Sequence, residues 1–272
     1  MAAILDAQGL HKSFGAVTAA SDICASIERD SVVGLIGTNG AGKTTFINMI
    51  TGYLKPDRGR IRYEERDITA LSPRDITRIG ICRSFQIPQL YASLTAFENV
   101  LVGIGVVQRN AGRGGFFSRG AALVPGYERP AEEVADLLLE RFGLAEYRDR
   151  NAQVLPGGVR KLLDIALTLV ARPKILLLDE PTSGVSADEK FAIMDMIMAA
   201  VRAEGITVLF VEHDMEVVSR FAERVLAFYD GRIIADAPPQ VALADPEVKR
   251  FVVGGELHRM DEQAAGKASG HA

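Results

Sequence analysis

The sequence has few cysteines, no long apolar run and no large excess of one charge. Cys24 and Cys82 are the only cysteines in 272 residues, which excludes a disulfide framework and a cysteine-based metal cluster; both thiols are expected to act as small buried hydrophobes. No apolar run approaches the ~20 residues that a membrane-spanning helix needs. The first residues also lack the basic and apolar regions of a signal peptide. Any membrane association is therefore expected to depend on a partner.

The overall composition is that of a folded cytosolic α/β protein. Hydrophobic residues make up 48% of the chain and charged residues 24%, and the length allows a sizeable core. The formal net charge of −4 gives the surface no general attraction for polyanions. No nucleic-acid partner is expected.

A glycine-rich loop at residues 37–45 reads Gly-Thr-Asn-Gly-Ala-Gly-Lys-Thr-Thr and lies between an apolar strand and a helix-like run. In such a loop, backbone N–H groups and a helix N-terminus bind phosphates, Lys43 reaches the outer phosphates and Thr44 ligates Mg²⁺. For the bare pattern, the alternative is a turn with a chance lysine. The expected loop contacts to a nucleotide are Asn39, Gly40, Ala41, Gly42, Lys43, Thr44 and Thr45.

Two carboxylates end an apolar run at residues 174–181. The run is typical of a strand buried on both faces of a parallel sheet, where ligands bind at the carboxyl end. Asp179 is therefore assigned to the metal shell beside the phosphates, and Glu180 is assigned to polarise the attacking water. A helix N-cap or a solvated strand end is the alternative for this pair.

The rest of the chain divides by local pattern. Residues 4–36 are predicted to form short alternating antiparallel strands with turns at Phe14-Gly15 and at residues 28–30, and residues 72–80 to begin a helix. Asp230-Gly231 predicts a hairpin between strands at 224–229 and 232–236. The Gly/Arg-rich segment near 108–126 is interpreted as a solvated loop, with contact to lipid headgroups or a membrane partner as the alternative.

These motifs, in this order, resemble the nucleotide-binding subunit of ATP-binding cassette (ABC) transporters over residues 4–254. The resemblance implies an α/β fold: a P-loop NTPase (RecA-like) core with an antiparallel β subdomain and an inserted α-helical subdomain. The expected divisions are residues 1–86 for the β subdomain and phosphate-loop part of the core, 87–165 for the helical subdomain, 166–254 for the rest of the core and 255–272 for a frayed tail.

The resemblance also assigns roles to three residues whose local sequence is uninformative. It implies that Phe14 stacks on adenine, that Gln86 senses Mg²⁺ and the γ-phosphate, and that His213 contacts the γ-phosphate. Without it, Phe14 would be assigned to the core and His213 to a helix N-terminal surface. The expected catalytic residues are Glu180, His213 and Gln86, and the expected metal residues are Thr44, Gln86 and Asp179.

The family signature, usually Leu-Ser-Gly-Gly-Gln, is altered to Leu155-Pro156-Gly157-Gly158-Val159. Gly157, Gly158 and the following helix still offer backbone donors to a phosphate, but the serine hydroxyl and glutamine amide are missing. In the family two subunits sandwich ATP, and each signature completes the other subunit's site. The alteration favours a heterodimer of ATPase subunits, with a homodimer as the alternative.

Within the family, the chain looks like the ATPases of branched-chain amino acid importers, whose relatives carry amides, urea or aromatic acids. The resemblance implies ATP and Mg²⁺ as cofactors, a second ATPase subunit, two transmembrane permeases and, indirectly, an extracytoplasmic solute-binding protein. It places the chain at the cytoplasmic face of the inner membrane. Alternatives are an ATPase of lipopolysaccharide export and a soluble repair or translation ATPase.

Overall fold

The computed structural model describes residues 3–84, 90–110 and 123–254. Three sequence predictions fall on residues outside these ranges. They concern Gln86, most of the Gly/Arg-rich segment near 108–126, and the tail at 255–272.

The described residues form ten strands, two of which are long. The strands are β1 (Ala3–Phe14), β2 (Val17–Glu28), β3 (Val32–Ile36), β4 (Arg58–Tyr63), β5 (Arg66–Asp67), β6 (Ile81–Arg83), β7 (Ile175–Asp179), β8 (Thr207–Val211), β9 (Arg224–Tyr229) and β10 (Arg232–Ala237).

Nine α-helices lie within the same described ranges. They are α1 (Lys43–Ile50), α2 (Pro73–Arg78), α3 (Ala96–Asn110), α4 (Ala131–Arg141), α5 (Gly157–Leu169), α6 (Lys190–Ala203), α7 (Met215–Phe221), α8 (Pro239–Ala242) and α9 (Pro246–Val248). Single 3₁₀ turns occur at Ala145–Tyr147 and Ala152–Val154, and a π-helical turn at Lys249–Val253.

The chain divides into two compact units, and the first contains Met1–Pro73 and Leu209–Ala272. Its antiparallel sheet has the strand order β2-β1-β4-β5. Its second group of strands has the order β10-β9-β3-β8, in which β3 and β9 are parallel. All five residues of β3 are buried, as expected for a strand covered on both faces.

The second unit contains Arg74–Val208. It holds the parallel pair of β6 and β7, with Ile81 opposite Ile175, and the first residues of β8. Helices α3, α4 and α5 pack on one another, and α5 also packs on α6. The first four residues of β7 are buried and its last, Asp179, is half-buried, so the apolar part of the strand delivers a carboxylate to its carboxyl end.

The α/β fold class predicted from the sequence is confirmed, as are the helix opening at Pro73 and the hairpin at Asp230-Gly231, which continues one residue further, to Ala237. The turns predicted at Phe14-Gly15 and at residues 28–30 are also confirmed, because β1 ends at Phe14 and β2 ends at Glu28. The two strands have 12 residues each and pair antiparallel, and their ladder contains several register shifts. The four-part division of the chain stays a prediction.

Candidate functional site

Two glycines allow the loop between β3 and α1 to fold as it does. Gly37 has a φ of 149°, and a Cβ there would lie 2.4 Å from the carbonyl oxygen of Phe228. Gly42 has a φ of 108°, and its Cβ would lie 2.9 Å from the carbonyl oxygen of Ala19. An L-residue is excluded at both positions by backbone conformation and by space. The first and last glycines of the motif therefore shape the loop.

The turn between β9 and β10 hydrogen-bonds to the phosphate loop. The N–H of Gly231 donates to the carbonyl of Ala41 over 3.0 Å, and the N–H of Ser21 donates to the carbonyl of Gly231 over 2.8 Å. The Asp-Gly pair at 230–231 was recognised in the sequence only as a hairpin signal. Its contact with the phosphate loop depends on the parallel pairing of β3 with β9, which the sequence does not specify.

Lys43 lies against the loop that precedes it. Its side chain is buried, and its Nζ donates to the carbonyls of Gly37 and, over 3.2 Å, of Thr38. Helix α1 begins at Lys43 with no side-chain cap and no acidic residue in its first turn. The helix therefore directs uncapped N–H groups and a positive dipole end towards the loop, which suits an anion.

The other predicted loop residues differ in exposure. Asn39, Gly40 and Thr44 are exposed, Thr45 is half-buried and Ala41 is buried. Exposure of Thr44 on the first turn of α1 leaves its hydroxyl accessible to solvent and ions.

Phe14 lies outside the core, at the end of β1. Its side chain is 52% exposed, and it faces Val17 across the turn to β2. The Nζ of Lys12 lies 5.7 Å from the Phe14 ring centroid. The same ammonium group donates a hydrogen bond to Asp57 over 2.6 Å. This hydrogen bond is the main reason that the pKa of the Asp57 carboxyl is lowered. The core assignment considered for Phe14 is wrong, and its ring is open for stacking.

His213 is held between two acidic residues at the end of β8. Glu212 is buried; its N–H contacts the carbonyl of Leu35 in β3 at 3.5 Å, and its Oε2 accepts from the N–H of His213 over 3.3 Å. Asp214 caps α7 by accepting from the N–H groups of Glu216 and Val217. Since β3 leads directly into the phosphate loop, the first unit delivers His213 from the strand next to the loop's own strand.

The second unit places Asp179 and Glu180 at the end of β7. Glu180 has a φ of 47°, a left-handed conformation that is unusual for a non-glycine residue. Its carbonyl accepts from the N–H of Ser183 over 3.1 Å, which begins the turns that follow. Such conformations cost about 1–3 kcal/mol and persist where the surrounding structure holds them.

Two basic side chains meet Asp179 within the same unit. Arg83 Nη2 donates to Asp179 Oδ2 over 2.5 Å, and the buried Lys161 donates from Nζ to the Asp179 carbonyl over 3.3 Å. Sequence reasoning did not identify either residue as a site residue. Both stand next to recognised motifs, Arg83 before Gln86 and Lys161 after the signature, but no local pattern connects them to Asp179.

The altered signature opens α5. Pro156 is the N-cap residue and provides no side-chain cap. Leu155 is buried, Pro156 and Gly157 are exposed, and Gly158 and Val159 are half-buried. A Cβ at Gly157 would lie 3.4 Å from the carbonyl of Gly184, in the loop after Glu180. The helix thus presents uncapped N–H groups at its start, which suits a phosphate.

A strand, a glycine-rich loop with a lysine and a helix, in this geometry, define a P-loop nucleoside triphosphatase. Residues 20–183 match the family described as ABC transporter. The chain is 34% identical over 254 residues to the high-affinity branched-chain amino acid transport ATP-binding protein LivG of Salmonella typhimurium, covering 92% of this chain and 98% of that protein. It is equally identical over 255 residues to the probable branched-chain amino acid transport ATP-binding protein LivG of Methanocaldococcus jannaschii, with coverages of 92% and 97%.

A solved structure agrees with these sequence relatives. The ADP conformation of an ATP-binding cassette of an ABC transporter has a TM-score of 0.76 and 31% identity, and the match covers 92% of this chain and 98% of that one. The chain therefore belongs to the ABC transporter family, as its ATP-binding subunit, an ATPase. The comparisons support the transport prediction over export of lipopolysaccharide and over a repair or translation ATPase.

No helix among residues 3–84, 90–110 and 123–254 is long and apolar enough to cross a membrane.

Proposed function

We propose that this chain powers the uptake of branched-chain amino acids or of a related small solute, such as an amide, urea or an aromatic acid. The observation that carries the proposal is its similarity to two branched-chain amino acid transport proteins along nearly their whole length. Substrate selection belongs to other chains of the transporter, so the solute class is inferred from these relatives.

The phosphate loop and Phe14 are the proposed ATP contacts of the first unit. Uncapped N–H groups at the start of α1 support binding of phosphates, and the exposed Phe14 ring supports stacking on adenine. Lys43 leaves its loop carbonyls to contact the outer phosphates. Asn39, Gly40, Ala41, Gly42 and Thr45 complete this contact set.

Thr44, Gln86 and Asp179 are the proposed Mg²⁺ residues, through their side-chain oxygens. Hydroxyl, amide and carboxylate oxygens suit this ion, which binds nucleotide phosphates with only one or two protein carboxylates. No group of three or more His, Cys, Asp or Glu able to hold a metal occurs among the described residues. When bound, Mg²⁺ neutralises charge that develops on the transferred phosphoryl group.

Hydrolysis is assigned to three side chains. Glu180 polarises the attacking water, His213 donates a hydrogen bond to developing charge on the γ-phosphate, and Gln86 senses that phosphate. The left-handed backbone of Glu180, and the hydrogen bonds of the His213 N–H and of the Asp214 carboxylate, support a fixed backbone position for Glu180 and His213.

The proposed assembly contains a second ATPase subunit, two transmembrane permeases and, indirectly, an extracytoplasmic solute-binding protein. It places this chain at the cytoplasmic face of the inner membrane, attached through the permeases. Closure of the ATPase dimer around ATP drives the permeases, and hydrolysis resets them. The missing side-chain donors of Pro156 and Val159 favour a heterodimer, in which this signature completes the weaker site.

Uptake by a deletion strain of the native host tests the transport assignment. Labelled leucine, isoleucine, valine, urea, an aliphatic amide and benzoate are supplied separately, and the strain is complemented with the wild-type chain or with Lys43→Ala. The wild-type chain should restore uptake of one solute class, and Lys43→Ala should not. Normal uptake of all six solutes without the chain contradicts the proposal.

Substitution of Glu180 tests the hydrolytic role. In the complex purified in gentle detergent, Glu180→Gln should retain ATP while turnover falls on the order of 10²-fold or more, as on loss of a general base. The exposed Glu189, in the same connecting segment, provides the matched control Glu189→Gln, with turnover expected to stay close to wild type. Normal hydrolysis by Glu180→Gln contradicts the assignment.

A further inference from the structure

The end of β7 brings charged groups of both signs together within the second unit. Asp179 and Glu180 bring two negative charges, while Arg83 and Lys161 bring two positive charges to the side chain and the carbonyl of Asp179. The Arg83 side chain is 12% exposed and that of Asp179 19% exposed. An ion pair so shielded from water is more strongly coupled than one on the open surface.

The position of Arg83 is fixed by the parallel pairing of β6 with β7. Arg83 is the last residue of β6 and lies opposite Leu177, and the N–H of Ser84 donates to the carbonyl of Leu177 over 2.9 Å. Asp179 follows Leu177 by two residues, on the same side of the strand. The two side chains therefore extend from neighbouring strand ends and meet there.

We propose that Arg83 is a positioning residue that holds the Asp179 carboxylate until Mg²⁺·ATP arrives and then gives it up to the metal. The inference rests on the proposed role of Asp179 in the metal shell. A divalent cation at this carboxylate repels the guanidinium, and both seek the same oxygens. In the protein without nucleotide, Arg83 thus keeps the Asp179 side chain oriented and compensates the charge of its carboxylate. The same ion pair opposes metal binding at Asp179.

The first test compares nucleotide affinity in EDTA and in excess Mg²⁺, using the non-hydrolysable analogue AMP-PNP. The ratio of the two dissociation constants measures how strongly the metal enhances binding. In Arg83→Gln this enhancement should grow by roughly 3- to 10-fold, the scale of one partly shielded ion pair. Arg83→Lys, which retains the charge, should stay near the wild-type ratio. An unchanged or smaller enhancement in Arg83→Gln overturns the proposal.

Two controls separate this inference from the site assignment on which it rests. Arg78→Gln removes an exposed arginine that pairs with Asp75 at 3.7 Å and should leave the ratio unchanged. Asp179→Asn should abolish most of the enhancement, and Arg83→Gln should have no further effect in that background. If Asp179→Asn keeps the wild-type ratio, the metal role of Asp179 fails; if only the Arg83→Gln effect is absent, the inference alone fails.

A measurement on the wild-type chain covers the case in which Arg83→Gln does not fold. The ¹⁵Nε–H signal of Arg83, assigned by its loss in Arg83→Lys, reports whether the guanidinium is held. On addition of Mg²⁺·AMP-PNP, this signal should move to the chemical shift of a solvated arginine. With AMP-PNP in EDTA, its chemical shift should not change. A signal that is the same in both conditions overturns the proposal.

Discussion

At the scale of single residues, charge is compensated locally before any ligand binds. Lys43 is buried on the carbonyls of its own loop, Asp179 is paired with Arg83, and Asp57 with Lys12. Burial of an uncompensated charge is costly, and the buried Lys43 and the half-buried Asp179 each have such a partner. Under the proposed function, ATP binding replaces these two contacts as well as adding new ones.

Removal of the Lys43 side chain is expected to weaken binding of ATP. Loss of a charge-assisted contact to the phosphates predicts a rise in dissociation constant of about 10- to 100-fold for Lys43→Ala, measured by titration with a fluorescent ATP analogue. Lys55→Ala is the matched control, because Lys55 is exposed and donates to the Leu71 carbonyl outside the loop. Wild-type affinity in Lys43→Ala contradicts the phosphate contact.

The two cysteines are expected to react very differently. Cys24 is exposed, so the prediction that both thiols are buried is wrong for Cys24. Cys82 is buried in β6, and burial raises the pKa of its thiol to about 11. A disulfide reagent at pH 8 should label Cys24 alone in the native chain and both thiols in denaturant. Rapid labelling of both in the native chain contradicts the prediction.

The same shift gives unfolding a pH dependence. Because folding raises the pKa of Cys82, the stabilising contribution is complete below the ordinary thiol pKa and is lost as pH rises through about 11. A Cys82→Ala chain should lack this component in denaturant unfolding at alkaline pH. The same alkaline loss in both chains assigns the effect to other groups.

At the scale of elements, the candidate functional residues lie at the starts of helices and at the ends of strands. Helices α1 and α5 both begin without a side-chain cap, and this leaves N–H groups for phosphates. Helix α7 differs, because Asp214 caps it immediately after His213. Strands β3, β7 and β8 are short and buried, so each places one functional segment at its end.

The cap of α7 is predicted to act on both stability and turnover. Asp214→Ala should lower the free energy of unfolding by about 1 kcal/mol and also reduce hydrolysis, because the N-terminus of α7 positions His213. Asp245 caps α9 through the same geometry, accepting from the N–H groups of Glu247 and Val248. Asp245→Ala should therefore cost similar stability with little loss of turnover, measured by denaturant unfolding and phosphate release. Equal turnover in the two variants contradicts a positioning role for the α7 cap.

At the scale of the whole molecule, the chain belongs to an assembly larger than itself. Its signature lies in the second unit, and in the family a signature acts on the ATP of the other subunit. In the proposed assembly, the substitutions at Pro156 and Val159 concern the partner's ATP, while Lys43, Asp179, Glu180 and His213 are proposed to act on the ATP of this chain.

Restoration of the usual signature is predicted to raise turnover of the complex. Pro156→Ser with Val159→Gln returns a hydroxyl and an amide donor, and one preorganised donor is worth on the order of 10²-fold in turnover. Phosphate release by the purified complex should increase when the partner's own phosphate-loop lysine is intact. It should not increase when that lysine is replaced, and an increase that persists there contradicts action on the partner's ATP.

The local motifs were predictable because their chemistry depends on a few consecutive residues. A loop of glycines before Lys43, an apolar run before Asp179 and an Asp-Gly turn at residues 230–231 specify local structures that occur in the described chain. The turns at Phe14-Gly15 and at residues 28–30 were predictable for the same reason, and they mark the ends of β1 and β2.

By itself the sequence determined the fold class, the phosphate loop, the carboxylate pair and the family, because these depend on composition, periodicity and contiguous motifs. Only the tertiary structure decided that Phe14 is exposed, that Gly231 braces the phosphate loop and that Arg83 meets Asp179. These contacts join residues far apart in the chain. Their geometry is set by strand pairing and register, which local sequence does not encode.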